Sequence, residues 1–390
     1  MMKKRFYTFA LFIGFLTAHL TLQAQDNWKD KVGKGITLLG KDSTFSLKLG
    51  MRLQTMYEGS GSLDGGKWQS GMSIRRFRLK FGGFVYHPSL TYKIQFALAS
   101  SNFVAEDPLR PDYIPGPIAD AYLQWQFHKN WSIRVGQQKL PGNRENNISS
   151  QKLEFAGRSE LNNLFRIDRD MGIQLHYNSD FMHLATALSM GEGRNVYFDN
   201  QGGYNYTARA EFYPLGQFED KGHTYEPDFA REITPKLLIG ATYDFNEQAS
   251  RSKGQSGDFL EEQRDLTTWF VDMLMKYQGF STSVTWAQKN TPNTPAIWDE
   301  NGEFVTAFTT GSAFNWQGSY LFKNHFAISG RFTHIRPDSE TFEQDYEKYT
   351  LGLGKFFFGY NLKLQSDISL LQYAEGDDFM EVKCQLEFAF

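Results

Sequence analysis

Three basic side chains lie two residues apart in the segment 74–85, where Arg76, Arg78 and Lys80 alternate with apolar residues. Alternate residues of a β-strand share one face, so the three cations would form a ladder with steps of about 7 Å. Along a water-filled passage, such a ladder lowers the energy of anions and raises that of cations. The same residues also fit a simpler role, in which they bind opposed charges within a protein wall.

Further basic residues fall on predicted inward positions of other segments. These inward faces carry roughly twice as many basic as acidic residues, although the whole sequence has 41 Lys and Arg against 44 Asp and Glu. The near balance of the total gives no reason to expect a nucleic-acid partner. The residues predicted to form an anion pathway are Arg52, Arg76, Arg78, Lys80, Lys93, Arg134, Lys139 and Arg144.

The elements that must position these residues are predicted to be strands. Apolar and polar residues alternate with a period of two after residue 43, which is typical of strands with one apolar face. Most segments have the length of about 9–11 residues that a tilted membrane-spanning strand needs. The sixteen predicted strands are 44–57, 72–87, 90–100, 118–127, 131–139, 171–177, 181–190, 204–213, 236–245, 267–277, 280–288, 312–322, 326–335, 346–356, 362–371 and 379–390.

The connections between these segments alternate between long and short. The long connections 58–71 and 101–117 are each followed by a short turn, at 87–89 and 128–130. This alternation is typical of a transmembrane barrel, which has short periplasmic turns and long extracellular loops. The connection 214–235 is an exception, because it is long at a position where the alternation predicts a short turn.

The alternating apolar face could meet either a protein core or a lipid bilayer. A barrel of sixteen strands with polar inner positions encloses water, which excludes a filled soluble barrel. Aromatic residues make up 16% of the sequence, and they gather near strand ends as in the interfacial girdles of membrane barrels. A closed sheet also leaves no backbone group unpaired in hydrocarbon. The sequence therefore predicts an all-β fold, a 16-stranded antiparallel transmembrane β-barrel surrounded by outer-membrane lipids.

The longest connection, 139–170, combines many charged residues with apolar ones such as Leu153, Phe155 and Phe165. Apolar residues in a loop favour packing against another part of the protein. We expect this loop to fold inward and narrow the lumen. The alternative is a solvated surface loop.

The N-terminal residues predict export from the cytoplasm. Residues 1–24 have a basic start, an apolar middle and a small residue, Ala24, before a polar stretch, which is the layout of a secretory signal peptide. An N-terminal membrane anchor is the alternative. We expect a short N-terminal segment over 25–43 and a barrel domain over 44–390.

Six stretches of the sequence resemble the phosphate-selective porin O and P family of Gram-negative outer membranes. The stretches that carry the resemblance are FSLKLGMRLQ (45–54), IRRFRLKFGGFV (74–85), DAYLQWQFHKNWSIRVGQQKLPGNRE (120–145), FRIDRDMGIQLHY (165–177), YTLGLGKFF (349–357) and LKLQSDISL (362–370). The resemblance implies a homotrimeric outer-membrane porin that passes small anions such as phosphate along a route of arginines and lysines. Arg76, Arg78 and Lys80 match the family's basic strand motif, and Lys139 matches its lysine before a proline.

Motifs for other chemistry are weak or missing in the sequence. Residues 61–67 fit a GxxxxGK pattern, but Trp68 follows in place of Ser or Thr and no helix is predicted there. A single cysteine excludes a CxxC metal site. We therefore expect no cofactor and no enzyme activity. Two alternatives stay open, namely a barrel with a closed lumen that acts in adhesion, and an outer-membrane barrel enzyme.

Overall fold

The structure is a computed structural model, and it describes residues 33, 35–40, 44–103, 109, 113, 116–196, 200 and 202–390. The predicted signal peptide, 1–24, lies outside the described residues, as does 25–32 of the predicted N-terminal segment. The described part of that segment contains one short strand, Ile36–Leu39, which pairs with residues 46–49. No helix in the described part of the chain is long and apolar enough to cross a membrane.

Strands dominate the described residues, and sixteen of them form the barrel. The strands are β1 Ile36–Leu39, β2 Ser46–Ser62, β3 Gln69–Val85, β4 His87–Ala97, β5 Ile118–Trp125, β6 Trp131–Lys139, β7 Arg169–Asn178, β8 Met182–Ser189, β9 Asn205–Phe212, β10 Lys236–Arg251, β11 Phe259–Tyr277, β12 Phe280–Asn290, β13 Ala296–Trp298, β14 Phe304–Ala307, β15 Gly311–Leu321, β16 Phe326–Pro337, β17 Tyr346–Tyr360, β18 Leu362–Tyr373 and β19 Phe379–Ala389. The barrel consists of β2–β12 and β15–β19.

Each barrel strand pairs antiparallel with the next one along the chain. The last strand, β19, pairs with the first, β2, from Phe379 opposite Ser62 to Ala389 opposite Arg52. This pairing closes the sheet, so neither edge is left without a hydrogen-bonding partner. The predicted 16-stranded antiparallel barrel is confirmed.

The two faces of the barrel wall differ as the period-two pattern predicts. In β15 the side chains of Phe314, Trp316 and Tyr320 are exposed on the outer face, whereas Asn315 and Gln317 are buried inside. Apolar outer side chains match the hydrocarbon of a bilayer, and polar inner side chains match a wet lumen.

Several strands extend beyond their predicted ends on the side of the long loops. β2 continues to Ser62 instead of residue 57, β10 to Arg251 instead of 245, and β11 begins at Phe259 instead of 267. Beyond the bilayer both faces of a strand meet water or loops, so the alternation that marks a membrane strand disappears although the pairing continues. The hairpin of β13 and β14, within the connection 291–310, was not predicted for the same reason.

The loop 140–168 folds into the lumen, as predicted, and crosses to the opposite wall. The amide of Ala156 donates to Asp367 Oδ2 over 2.8 Å, and Arg331 Nη1 donates to the carbonyl oxygen of Gly157 over 3.1 Å. Lys348 Nζ lies 2.8 Å from Glu160 Oε1. These contacts attach the loop to β16, β17 and β18.

Apolar packing fixes the same loop near its two ends. Leu140, Leu161, Phe165 and Ile167 form a buried cluster with Phe270 of the wall. Burial of a large apolar side chain contributes about 1.5–3 kcal/mol, so the cluster outweighs a single exposed ion pair. The loop also contains the short helices Arg144–Asn147 and Glu160–Phe165, the second of which is capped by Ser159.

The unexpected long connection, 214–235, enters the barrel from the side of the short turns. The ammonium group of Lys276 donates to the carbonyl oxygens of Gly222, Tyr225 and Pro227 over 2.8–3.0 Å. The amide of Glu226 donates to the carbonyl oxygen of Lys152 over 3.0 Å. The connection 214–235, which we call the connector, therefore meets the loop 140–168, which we call the inward loop, inside the barrel. Together they fill part of the lumen.

Candidate functional site

The first of two large lumen cavities lies on the side of the long loops and has a volume of about 530 Å³. Among the described residues, its lining contains nine arginines and two lysines, but only two acidic residues, Asp120 and Asp168. The basic lining residues are Arg52, Arg75, Arg76, Arg78, Lys93, Lys139, Arg158, Arg166, Arg169, Arg194 and Arg251. We call this space the outer cavity.

The second cavity, which we call the inner cavity, lies on the side of the short turns and has a volume of about 440 Å³. Its wall includes Arg134, His176, His183 and Glu211, and the connector contributes His223. Its lining mixes both signs of charge with neutral polar groups.

The two cavities meet in the middle of the barrel, where five residues line both of them. The shared residues are Lys93, Asp120, Lys139, Asn147 and Ser149. Asn147 and Ser149 belong to the inward loop, and the other three belong to the wall. All strand residues that line either cavity come from β2 to β10, so the route follows one side of the lumen.

A carboxylate between two cations marks this junction. Asp120 Oδ2 lies 2.8 Å from Lys93 Nζ, and Asp120 Oδ1 lies 2.6 Å from Arg169 Nε. Arg169 Nη1 also lies 3.5 Å from Asp168 Oδ1. The two aspartates neutralise part of the positive charge, so the junction is less basic than its cations alone would make it.

The loop carboxylate at this point stays ionised. Burial alone would raise the pKa of Asp168, but the guanidinium groups of Arg166 and Arg169 hold that pKa below its ordinary value. Burial lowers the pKa of Arg158 to about 10, so that guanidinium remains a cation at neutral pH.

Two members of the predicted ladder reach the outer cavity. Arg76 Nη1 donates to Gln54 Oε1 over 2.6 Å, and Arg78 Nη1 is buried without a hydrogen-bond partner in the protein. A buried guanidinium N–H that lacks a protein acceptor can donate to an ion or water in the cavity. Neither arginine forms an ion pair within the described residues.

The third member of the ladder, Lys80, lines neither cavity. Its ammonium group lies 3.4 Å from Gln151 Oε1 of the inward loop. The ladder is therefore divided, with Arg76 and Arg78 at the route and Lys80 beneath the loop.

Three other predicted residues bind the protein itself. Arg52 lies 2.6 Å from Glu387 Oε1 and donates to Ser150 Oγ over 2.9 Å. Arg144 donates to the carbonyl oxygens of the connector residues His223 and Tyr225.

The third of these residues, Lys139, donates to the carbonyl oxygens of Asn146, Asn147 and Ile148. These contacts tie the start of the inward loop to β6. Lys139 nevertheless lines both cavities.

The remaining two predicted residues lie along the route. Lys93 lines both cavities beside Asp120. Arg134 lines the inner cavity, donates to Gln124 Oε1 over 2.7 Å and stacks over the ring of Tyr122 at 5.5 Å. The structure thus brings seven of the eight predicted residues to the lining of the two cavities, although it holds Arg144 against the connector, and it sets only Lys80 apart.

A β-bulge adds a residue that simple alternation assigns to the lipid face. Gln54 pairs with Arg76 and Thr55 pairs with Ile74, so Arg75 has no partner in the register. The bulge turns Arg75 into the outer cavity, where Nη1 lies 3.3 Å from Glu58 Oε1. Two adjacent arginines in one strand are the only signal of this bulge in the sequence.

The other basic residues that the sequence analysis did not place in the pathway lie in loops or at strand ends. Arg158 and Arg166 belong to the inward loop, Arg169 to the start of β7, Arg194 to the connection after β8, and Arg251 to the end of β10. Arg251 stacks over the rings of Tyr113 and Phe259. Residues in connections have no strand parity, so the sequence pattern cannot assign them to the lumen.

No group of three or more His, Cys, Asp or Glu residues within the described ranges is arranged to hold a metal ion. The site consists of cationic side chains, polar side chains and backbone around the two cavities. Its chemistry is the reversible exchange of an anion's hydration shell for N–H donors.

Comparison with solved structures identifies the same architecture in known channels. An anion-selective porin from Comamonas acidovorans has a TM-score of 0.54 at 10% identity, covering 89% of this chain and 100% of that one. OprB of Pseudomonas putida has a TM-score of 0.56 at 10% identity, with 88% and 94% covered. The outer membrane channel DcaP of Acinetobacter baumannii has a TM-score of 0.53 at 12% identity, with 90% and 99% covered. No curated protein matches the chain.

The model of one protein family, phosphate-selective porin O and P, matches residues 47–320. This match spans most of the barrel, from β2 to β15. The closed barrel, its wet basic lumen and this match agree with one another and indicate a channel rather than an enzyme. The chain therefore belongs to the phosphate-selective porin O and P family and is a porin of the Gram-negative outer membrane.

Proposed function

We propose that the channel passes small anions, such as phosphate, by passive diffusion through the outer cavity, the junction and the inner cavity. One observation carries this proposal, namely the excess of eleven basic over two acidic side chains among the described residues around the outer cavity. Cations around a narrow wet passage concentrate anions and repel cations.

Individual residues differ in their proposed roles. Arg76, Arg78, Lys93 and Arg134 present donors to the passing anion. A guanidinium offers a planar pair of donors that fits phosphate or carboxylate oxygens. Arg52, Lys80, Lys139 and Arg144 act mainly by holding the inward loop and the connector in place.

The carboxylate of Asp120 at the junction supports release of the ion. Asp120 binds both Lys93 and Arg169, and it competes with a passing anion for their donors. Conduction requires binding sites that are attractive but weak enough to leave. The junction combines a positive surrounding with a resident carboxylate that limits the residence time.

We further propose that the porin is a homotrimer, as its family resemblance implies. Support comes from the apolar outer side of β3, where Met72 and Ile74 are exposed in the single chain. Electrophoresis of the unheated, detergent-solubilised protein distinguishes a trimer from a monomer by its apparent mass. A species of monomer mass under these conditions contradicts this part of the proposal.

Reversal potentials in planar lipid bilayers test the main proposal. Under a KCl gradient, the protein should form open channels. The sign of their reversal potential should show that chloride is more permeant than potassium. Addition of phosphate should reduce the chloride current if both ions share the route. A preference for potassium contradicts the proposal, and an absence of channels supports the alternative of a closed barrel that acts in adhesion.

A further inference from the structure

Two histidines in the wall of the inner cavity hydrogen-bond to each other. His176 of β7 and His183 of β8 both line this cavity. His176 Nδ1 lies 3.3 Å from His183 Nε2, and the two ring planes differ by only 3°, with centroids 5.6 Å apart. Because the rings are nearly coplanar, the two nitrogens point at each other. One proton lies between them, since two facing lone pairs would repel each other.

Oxygen atoms face the far nitrogens of both rings. His176 Nε2 lies 3.1 Å from Gln174 Oε1, and His183 Nδ1 lies 3.3 Å from Glu211 Oε2. The amide nitrogen of Gln174 donates to the carbonyl oxygen of Lys139 over 2.8 Å. The oxygen of that amide is therefore the atom that faces His176, and it can only accept a hydrogen bond.

The carboxylate of Glu211 also acts only as an acceptor. It accepts from Arg209 Nε and from Tyr213 Oη, each over 2.9 Å. Its ion pair with Arg209 requires the ionised carboxylate, which has no proton to donate. His183 must therefore supply the N–H of its contact with Glu211.

The three contacts along this row require three protons on four ring nitrogens. A neutral imidazole has one N–H and an imidazolium has two, so the two rings together consist of one imidazole and one imidazolium. The pair therefore carries a single positive charge. Loss of one proton would leave one of the three contacts with two lone pairs facing each other, so the observed geometry is that of the charged pair.

We propose that His176 and His183 share this proton as one cation, which makes the anion preference of the inner cavity dependent on pH. This role rests on the proposed passage of anions through the cavity. Histidine is the side chain whose charge ordinarily changes between pH 5 and 8. A cation in the wall favours anions, so the preference should be strongest at low pH and should decrease as the pair loses its proton.

Other charged and titratable groups face the pair from the wall, the inward loop and the connector. They are Arg134 of β6, Arg209 and Glu211 of β9, Arg144 and Lys152 of the inward loop, and His223 of the connector. Burial lowers the pKa of His223 to about 4, so its imidazole is neutral from pH 5 to 8. The three arginines stay cationic over the same range. Titration of His223 therefore does not mimic that of the pair.

Reversal potentials in planar bilayers at pH 5 to 8 test this role in the full-length protein. The permeability ratio of chloride to potassium should fall about twofold to fourfold between pH 5 and pH 8, because one charge about 10 Å away acts on the two ions with opposite sign. His176→Gln combined with His183→Gln removes both imidazoles, so its ratio at pH 5 should equal that of the unmodified protein at pH 8. His87→Gln, at the start of β4, is the matched control and should keep the full pH dependence.

Nuclear magnetic resonance of the protein labelled with nitrogen-15 at histidine gives a second readout that does not involve conduction. In detergent at pH 6, the pair should show three protonated ring nitrogens, and one of these protons should be lost by pH 9. The corresponding signals should be missing from the double variant. Electrophoretic mobility of the unheated variants verifies that each barrel has folded.

Three results would overturn the proposal. These are a permeability ratio of the unmodified channel that does not change with pH, an equal pH dependence in the double variant, and a pair with only two protonated nitrogens at pH 6. A preference for potassium at every pH contradicts the anion route itself. The proton count from magnetic resonance then separates that failure from a failure of the pair to form a cation.

Discussion

The guanidinium of Arg52 and the carboxylate of Glu387 form a buried ion pair across the seam between the first and last barrel strands, with 2.6 Å between Nε and Oε1. Glu387 also accepts from Gln54 Nε2 over 2.8 Å and lies 3.8 Å from Lys363 Nζ. Both members of the pair are almost completely buried. One carboxylate therefore compensates two cations at the point where the barrel closes.

Glu387→Gln should destabilise the barrel, because it leaves Arg52 and Lys363 without a counter-charge. Removal of one partner from a buried ion pair typically costs about 3–5 kcal/mol. Denaturant unfolding of the refolded protein in lipid or detergent measures the change. Glu261→Gln, at an exposed position of β11, is the control and should change the stability by less than about 0.5 kcal/mol. Equal stability of the two variants would contradict a structural role for the pair.

Anion preference should depend on the two upper members of the basic ladder and not on the third. Arg76→Ala combined with Arg78→Ala removes two cations from the outer cavity, so the reversal potential under a KCl gradient should move toward zero. Lys80→Ala is the matched control, since Lys80 lies against Gln151 and lines neither cavity. A shift in Lys80→Ala as large as in the double variant would show that the ladder acts as one unit.

Lys139 should control the order of the inward loop. Its ammonium group donates to three carbonyl oxygens at residues 146–148, and each hydrogen bond to a charged group contributes about 1.5–3 kcal/mol. Lys139→Met should loosen the loop, giving faster amide hydrogen exchange in residues 144–152 and noisier single-channel currents. Lys129→Met, in an exposed turn, should behave as the unmodified protein does. Unchanged exchange in Lys139→Met would mean that Arg158, which binds two of these carbonyl oxygens, those of Asn146 and Ile148, is sufficient.

The contact between the inward loop and the connector should weaken as the pH rises. Burial, together with the nearby Glu226, raises the pKa of Glu154 to about 8. Between the ordinary Glu value of 4.5 and about 8, the unfolded chain is ionised at this residue while the folded chain is protonated, so stability falls with increasing pH. Glu154→Gln should therefore be more stable than the unmodified protein at pH 8–9, and both should be similar near pH 4.

Glu160 provides the opposite case within the same loop. Burial alone would raise its pKa, but Lys348 lowers it below the ordinary value. Its contribution to stability is therefore present above the ordinary Glu pKa and disappears as the pH falls through the lower folded value. Glu160→Gln should destabilise the protein at neutral pH. Unfolding midpoints measured from pH 4 to pH 9 distinguish the two profiles, and parallel curves for both variants would contradict these assignments.

The wall of the barrel could be predicted from the sequence because the bilayer imposes a strict pattern on it. Phe314 and Trp316 must face lipid, so Asn315 and Gln317 face the lumen, and strand parity follows. The pattern fails where this constraint is relaxed. The bulge at Arg75 changes which face the residue occupies without any change in composition.

The contents of the lumen were less accessible to sequence analysis. Arg331 binds Gly157 although 174 positions separate them in the chain, and no local pattern encodes such a contact. The inward direction of the loop could be predicted from its apolar residues, but its partners could not. The same limit applies to Arg194, which lies in a connection, and to Arg251, which lies at the end of β10 beyond the regular alternation.

Because the route follows one side of the lumen, different strands determine solute preference and barrel stability. No residue after Gly257 lines either large cavity, whereas the inward loop is anchored on β16–β18. Substitutions in β2–β10 can alter which solutes pass while the anchoring strands remain unchanged. Substitutions in β16–β18 instead affect the stability of the barrel. Relatives that share this arrangement can therefore diversify in solute preference without a redesign of the scaffold that holds the loop.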